Sequence, residues 1–76
     1  MANASLDVCQ FMCPLPVIKV QEAVAQLESG DQLNVLCYAQ NSYRDILSWC
    51  RVHGHSIEQV HHQDDKMLLN IKVVKS

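Results

Sequence analysis

Glycine and proline are scarce in this chain, two of each among 76 residues. That scarcity excludes collagen-like repeats and the Pro/Gly-rich composition of flexible linkers. Aromatic residues are few as well, with one tryptophan, one phenylalanine and two tyrosines, so there is no aromatic array on which bases could stack. No apolar run approaches the roughly 20 residues that cross a bilayer as a helix. Charge of either sign is sparse: six Lys and Arg against eight Asp and Glu give a formal net charge of -2. Without a basic run, direct binding to a nucleic-acid backbone is not expected. The opening residues have neither the basic start nor the apolar core of a secretory signal, so a cytoplasmic setting is expected.

What remains is enough for one small folded unit. The chain is 49% hydrophobic and 18% charged, a globular rather than a disordered balance, and its length predicts a single domain over residues 1–76. Four cysteines allow three disulfide connectivities. In a reducing cytoplasm, free thiols are the expected state.

Hydrophobic spacing predicts the order β-α-β-α-β-β. Leu6, Val8 and then Phe11 or Met12 suggest a short first strand. From Leu15 the period becomes helical, with Val17, Val20, Val24 and Leu27 on one side and Lys19, Glu22, Gln26 and Glu28 on the other. Ser29-Gly30-Asp31 ends that helix. Leu33, Val35 and Cys37 alternate as a strand, and the turn Ala39-Gln40-Asn41-Ser42 follows. Asn41 or Ser42 is placed to cap a second helix containing Asp45, Ile46, Leu47, Trp49, Cys50 and Val52, which Gly54 stops. Ile57 and Val60 open another extended segment, Asp64-Asp65 makes a turn, and Met67, Leu69, Ile71 and Val73 alternate through the last strand. The predicted fold is a small mixed sheet with both helices packed on one face. The other face stays partly wet.

Cys13-Pro14-Leu15-Pro16 is the segment with chemical content. Proline is preset for the first helical turn and has no amide hydrogen to leave unpaired. Cys13 therefore falls at a predicted helix entrance, where unpaired N–H groups and the helix dipole favour a thiolate. It is the candidate nucleophile. Cys9, four residues earlier, is a possible resolving thiol, whereas Cys37 and Cys50 follow the apolar pattern and belong to the core. Lys19 and Arg44 are candidates for shaping the local potential or docking a partner. His53, His55, His61 and His62 lack a metal-ligand spacing, and adjacent His61 and His62 should face opposite sides of a strand. No metal site is assigned.

Leu6-Asp7, Cys13-Pro14-Leu15-Pro16, Gly30-Asp31, Arg44-Asp45-Ile46 and Cys50 together resemble the TusA (SirA-like) family of small sulfur-carrier proteins, from about Leu6 to Val73. The resemblance implies a two-layer α/β (α+β) sandwich and a cysteine persulfide, which by motif position falls on Cys13. It implies a sulfur donor of cysteine desulfurase or rhodanese type, a thiol-bearing acceptor, no cofactor, and a monomer with transient partners. Relatives serve tRNA thiolation, sulfur oxidation and molybdenum-cofactor sulfuration. Gln10 stands where family members usually carry glycine, and Tyr38-Ala39-Gln40-Asn41 replaces their usual Asp-Pro turn. A redox regulator using a Cys9–Cys13 disulfide and a non-catalytic interaction domain are the rival readings.

Overall fold

The computed structural model describes residues 2–12, 15–40 and 42–75. Strand β1 (Asn3–Asp7) leads to helix α1 (Leu15–Ala25), followed by β2 (Gln32–Tyr38), α2 (Tyr43–Val52), β3 (Ser56–Gln63) and β4 (Lys66–Lys72). The predicted order is the observed one. The four strands form one sheet ordered β1-β2-β4-β3. β1 runs parallel to β2, and the other two pairings are antiparallel.

Register follows the alternation of the sequence. Leu33, Val35 and Cys37 pair with Ile71, Leu69 and Met67, and all six are buried on one face. Ala4 and Leu6, opposite Leu33 and Val35, extend that face toward the edge. Both helices cover it: Val20 and Val24 of α1 and Ile46 and Cys50 of α2 belong to the same core. On the opposite face the Asn70 Nδ2 donates to Asn34 Oδ1 at 2.7 Å and to Gln32 Oε1 at 3.3 Å. A polar ladder tolerates water there, so the partly wet face follows from side-chain chemistry.

Several boundaries differ from the sequence reading. β1 begins at Asn3 and ends at Asp7, so Phe11 and Met12 are not in it. Its polar residues face outward, and parallel backbone pairing with β2 supplies the strand. α1 ends at Ala25, before Leu27; the Gln26 and Leu27 amides bond to Ala23 and Val24 carbonyls in tighter, three-residue steps. Gly30 then takes a φ of 95°, a value glycine reaches without steric cost. Val52, expected in the apolar stripe of α2, is 79% exposed.

The two ends of α2 show opposite solutions. Ser42 occupies the N-cap position but makes no capping bond through its side chain; its hydroxyl is instead near enough to the Cys37 thiol to favour the thiolate there. Asn41, the other predicted cap, lies outside the described residues. At the far end Gly54, at φ 79°, donates to Arg51 O at 3.2 Å, and the His55 amide donates to Cys50 O at 2.8 Å. These two bonds form a Schellman closure, which needs the left-handed residue that glycine supplies.

Candidate functional site

Parallel pairing of β1 and β2 puts the carboxyl ends of both strands, and hence both helix entrances, at one end of the sheet. Loops at such strand ends are where open α/β sheets commonly place their chemistry. The β3–β4 hairpin joins them, since the Ala39 amide donates to Asp65 O at 2.9 Å. Cys13 and Pro14 lie outside the described residues; the chain on both sides of them is described. Val8 is buried and anchors the approach, its amide donating to Leu36 O at 2.9 Å. Phe11 closes a turn onto Val8 O at 3.1 Å, and the Leu15 amide donates to Met12 O at 2.9 Å as α1 begins. Around this entrance apolar side chains face solvent: Met12 is 80% exposed, Leu15 44% and Ile18 42%.

Lys19 reaches back toward the same segment. Its Nζ lies 5.3 Å from the centroid of the Phe11 ring and 3.6 Å from Glu22 Oε1. Cation–π attraction and the ion pair hold the ammonium beside residue 11 rather than in free solution. Arg44 stands at the start of α2, where it lines a hollow of about 430 Å³ with Ala39, Gln40 and Asp45. Arg44 is exposed.

Among the described cysteines, Cys9, Cys37 and Cys50 are all reduced. Burial pushes both Cys37 and Cys50 up to about 11, with the Ser42 hydroxyl opposing it at Cys37. At neutral pH each is ionised on the order of one part in ten thousand, which makes them packing groups rather than nucleophiles. Cys9 is raised as well, first by burial and then by its bond to the Asp7 carboxylate. That carboxylate also accepts the Cys9 amide at 2.9 Å, and the amide bond is the first cause of a lowered Asp7 pKa. The role of Asp7 is absent from the sequence reading. Its signal was an Asp two residues before the next amide at a strand end, the pattern of an Asx turn.

The histidines are dispersed between two places. His61 pairs with Leu68 and His62 with Met67, so they face opposite sides of β3 as expected. His53 and His55 both lie against Trp49, with ring centroids 4.8 and 5.2 Å away. Among the described residues no three His, Cys, Asp or Glu side chains converge to hold a metal ion. No helix among them is long and apolar enough to cross a membrane.

Comparison with known proteins bears directly on this arrangement. A family model described as sulfurtransferase TusA matches residues 4–73. The chain belongs to the TusA family. A relative from Neisseria meningitidis, named as a sulfur carrier protein, is 33% identical over 72 residues, covering 95% of this chain and 97% of its own length. The sulfur carrier protein TsuB of Escherichia coli is 33% identical over 57 residues, 75% of this chain and 76% of the relative. An Aquifex aeolicus protein of the same naming is 34% identical over 70 residues, 92% of this chain, yet the match spans only 36% of that longer protein.

Proposed function

We propose that this TusA-family protein is a sulfur carrier that takes up sulfane sulfur as a persulfide on Cys13 and passes it to an acceptor protein. The observation that carries the reading is the match to the family over residues 4–73, in a chain whose Cys13 and Pro14 immediately precede in sequence Leu15, the first residue of α1. In the first half-reaction the Cys13 thiolate attacks the outer sulfur of a donor persulfide, forming Cys13–S–SH and releasing the donor thiolate. In the second, an acceptor thiolate attacks that outer sulfur and Cys13 departs as a thiolate. Both steps run fastest when Cys13 is a stabilised anion, as nucleophile first and as leaving group afterwards. α1 supplies that stabilisation through its N-terminal amides and dipole, and Lys19, held beside Phe11, adds positive potential.

The donor is a protein of cysteine desulfurase or rhodanese type and the acceptor bears a thiol. Exposed Met12, Leu15 and Ile18 offer these partners an apolar surface at the entrance of α1, and Arg44 offers a charge for docking. The carrier acts as one domain over residues 1–76, a cytoplasmic monomer with transient partners. It requires no cofactor. The raised pKa of Cys9 favours relay through Cys13 alone over a regulatory Cys9–Cys13 disulfide, because a resolving thiol must ionise to attack.

Intact mass after exposure to a persulfide donor tests the reading. A gain of about 32 Da mapping to Cys13, and absent from Cys13→Ser with an unchanged unfolding midpoint, is the expected result. Sulfur lodged on another cysteine, or loading that survives Cys13→Ser, would overturn it. A loss of about 2 Da linking Cys9 to Cys13 would favour the redox regulator.

A further inference from the structure

At the end of the sheet remote from the two helix entrances, the C-terminal segment is fastened beside α2. The Schellman closure at Gly54 brings His55 back under Trp49, where the two rings stack with centroids 5.2 Å apart and planes inclined by 28°. The His55 Nδ1 accepts the Val74 amide hydrogen at 3.0 Å. A ring nitrogen that accepts a hydrogen bond carries no proton, so the imidazole is neutral with its hydrogen on Nε2. Val74 and Lys75 here form one wall of a groove of about 510 Å³ whose other lining includes Gln21, Val24, Ala25 and Trp49. The preceding residue is fixed independently: Val73 N–H donates to Asp31 O and Val73 O accepts from Gly30 N–H, both at 2.8 Å.

We propose that His55 is a proton-operated latch, which releases Val74 from the end of α2 when its Nδ1 is protonated and so widens the groove beside Trp49. Protonation leaves two N–H donors facing one another where one donor and one acceptor had met. The bond to Val74 is then lost, and the new imidazolium lies among other nitrogen bases. His53 acts on it from the C-cap of α2 and Lys75 from the C-terminal segment. α1 contributes Gln21, Val24 and Ala25 to the groove, none of which titrates. Burial, followed by His53 and Lys75, holds the His55 pKa below its ordinary 6.5, so the latch is closed at neutral pH and opens on mild acidification. Two further anchors confine the movement to Val74 by holding Lys75 on the α1–β2 connection: Ser29 Oγ accepts the Lys75 amide at 3.2 Å, and the Lys75 ammonium bonds Leu27 O. Val73 stays in place.

Amide exchange of the intact chain, followed residue by residue by NMR between about pH 7.5 and pH 5, tests the latch alongside the ring titration of His55. Corrected for intrinsic exchange, Val74 should lose about tenfold protection with the His55 midpoint, while Val73 does not change. His55→Asn places an amide oxygen near the Nδ1 position and cannot titrate; it should keep Val74 protected throughout. His55→Phe keeps a ring against Trp49 without an acceptor and should leave Val74 unprotected at both pH values. If Val74 in the unaltered protein keeps its protection while His55 titrates, the latch does not exist. A protection step that persists in His55→Asn or His55→Phe overturns it equally, by assigning the step to another group. Sulfur loading enters neither measurement, so the latch and the carrier reading stand or fall separately.

Discussion

The two ends of the sheet are built on different principles. At the helix entrances, Met12, Leu15 and Ile18 leave apolar surface in water, and Phe11 is tied in by a turn bond to Val8 and a cation above its ring. At the remote end, the Asp31 carboxylate accepts Ala2 N–H at 3.0 Å and Glu28 N–H at 2.8 Å, while Val73 exchanges backbone bonds with Gly30 and Asp31. That end gathers the N-terminus, the α1–β2 connection and the C-terminal segment into one hydrogen-bonded clasp. On the proposed function, exposed contact surface at the helix entrances serves partner docking, and the stability lost by such exposure has to come from elsewhere. The division of labour therefore separates chemistry from fastening, with the buried core between them.

Leu69→Ala should have the largest effect of the changes considered, because Leu69 is fully buried and pairs with Val35 on one side and Val60 on the other. A truncation of this kind costs about 2–5 kcal/mol, against a total stability of roughly 5–10 kcal/mol for a small domain. Denaturant titration should show the loss directly. Sulfur loading should fall only in proportion to the unfolded fraction, whereas Cys13→Ser should abolish loading in a fully folded protein. If Leu69→Ala abolished loading while remaining folded, the separation of core from site would fail.

Cys50→Ser and Cys37→Ser sharpen the comparison within the core. Both residues are fully buried, and among the described residues a hydroxyl, that of Ser42, acts on the Cys37 thiol, whereas burial alone sets the Cys50 shift. An unpartnered serine at position 50 should cost about 1–3 kcal/mol. The same change at position 37 should cost less, since the new hydroxyl meets one already waiting. Equal losses in unfolding experiments would show that the Ser42 contact supplies nothing.

How far the sequence discloses this structure depends on which force sets each element. Where burial decides, the pattern is readable: Leu33, Val35 and Cys37 on β2, Met67, Leu69 and Ile71 on β4, and Val20 and Val24 on α1 all face the core as their spacing predicts. Where backbone pairing decides, the pattern is quiet. β1, with the sequence Asn-Ala-Ser-Leu-Asp, is a strand because β2 offers it a parallel partner, and its hydrophobicity understates its extent. The register shift between Ile57 and Gln59 has the same character, being a local accommodation in an edge strand whose side chains are largely exposed. Ser42 was legible as a cap by type; its approach to the Cys37 thiol depended on two segments meeting in space. Of the proposed site, the entrance of α1 and the charges of Lys19 and Arg44 were readable from periodicity. The Asp7 bond to Cys9 and the clasp at Asp31 were not, because each depends on a turn that alternation does not encode.

Asp31 should give the smallest effect, and its pH dependence separates the clasp from everything else. The bonds from Ala2 and then Glu28 lower its pKa from 3.8, as amide donors favour the charged carboxylate. For an acid whose folded pKa lies below its unfolded one, the stabilising contribution is fully present above about pH 3.8 and disappears as pH falls through the folded value. His55 has its pKa depressed too, but as a base: the unfolded chain binds the proton first, so stability is full above about pH 6.5 and declines as pH falls toward the folded value. The two groups fasten the same end yet release it in different windows, His55 on mild acidification and Asp31 only in strong acid. Asp31→Asn keeps one acceptor oxygen and turns the other into a donor, so one of the two amides loses its partner. Because the carboxylate is exposed, the expected outcome is a fall of only a few degrees in Tm at neutral pH. Thermal unfolding across pH should then show the strong-acid decline reduced in Asp31→Asn and the decline near neutral pH intact. If instead the variant loses the step near neutral pH, the clasp titrates as one coupled unit and the two attachments are not independent.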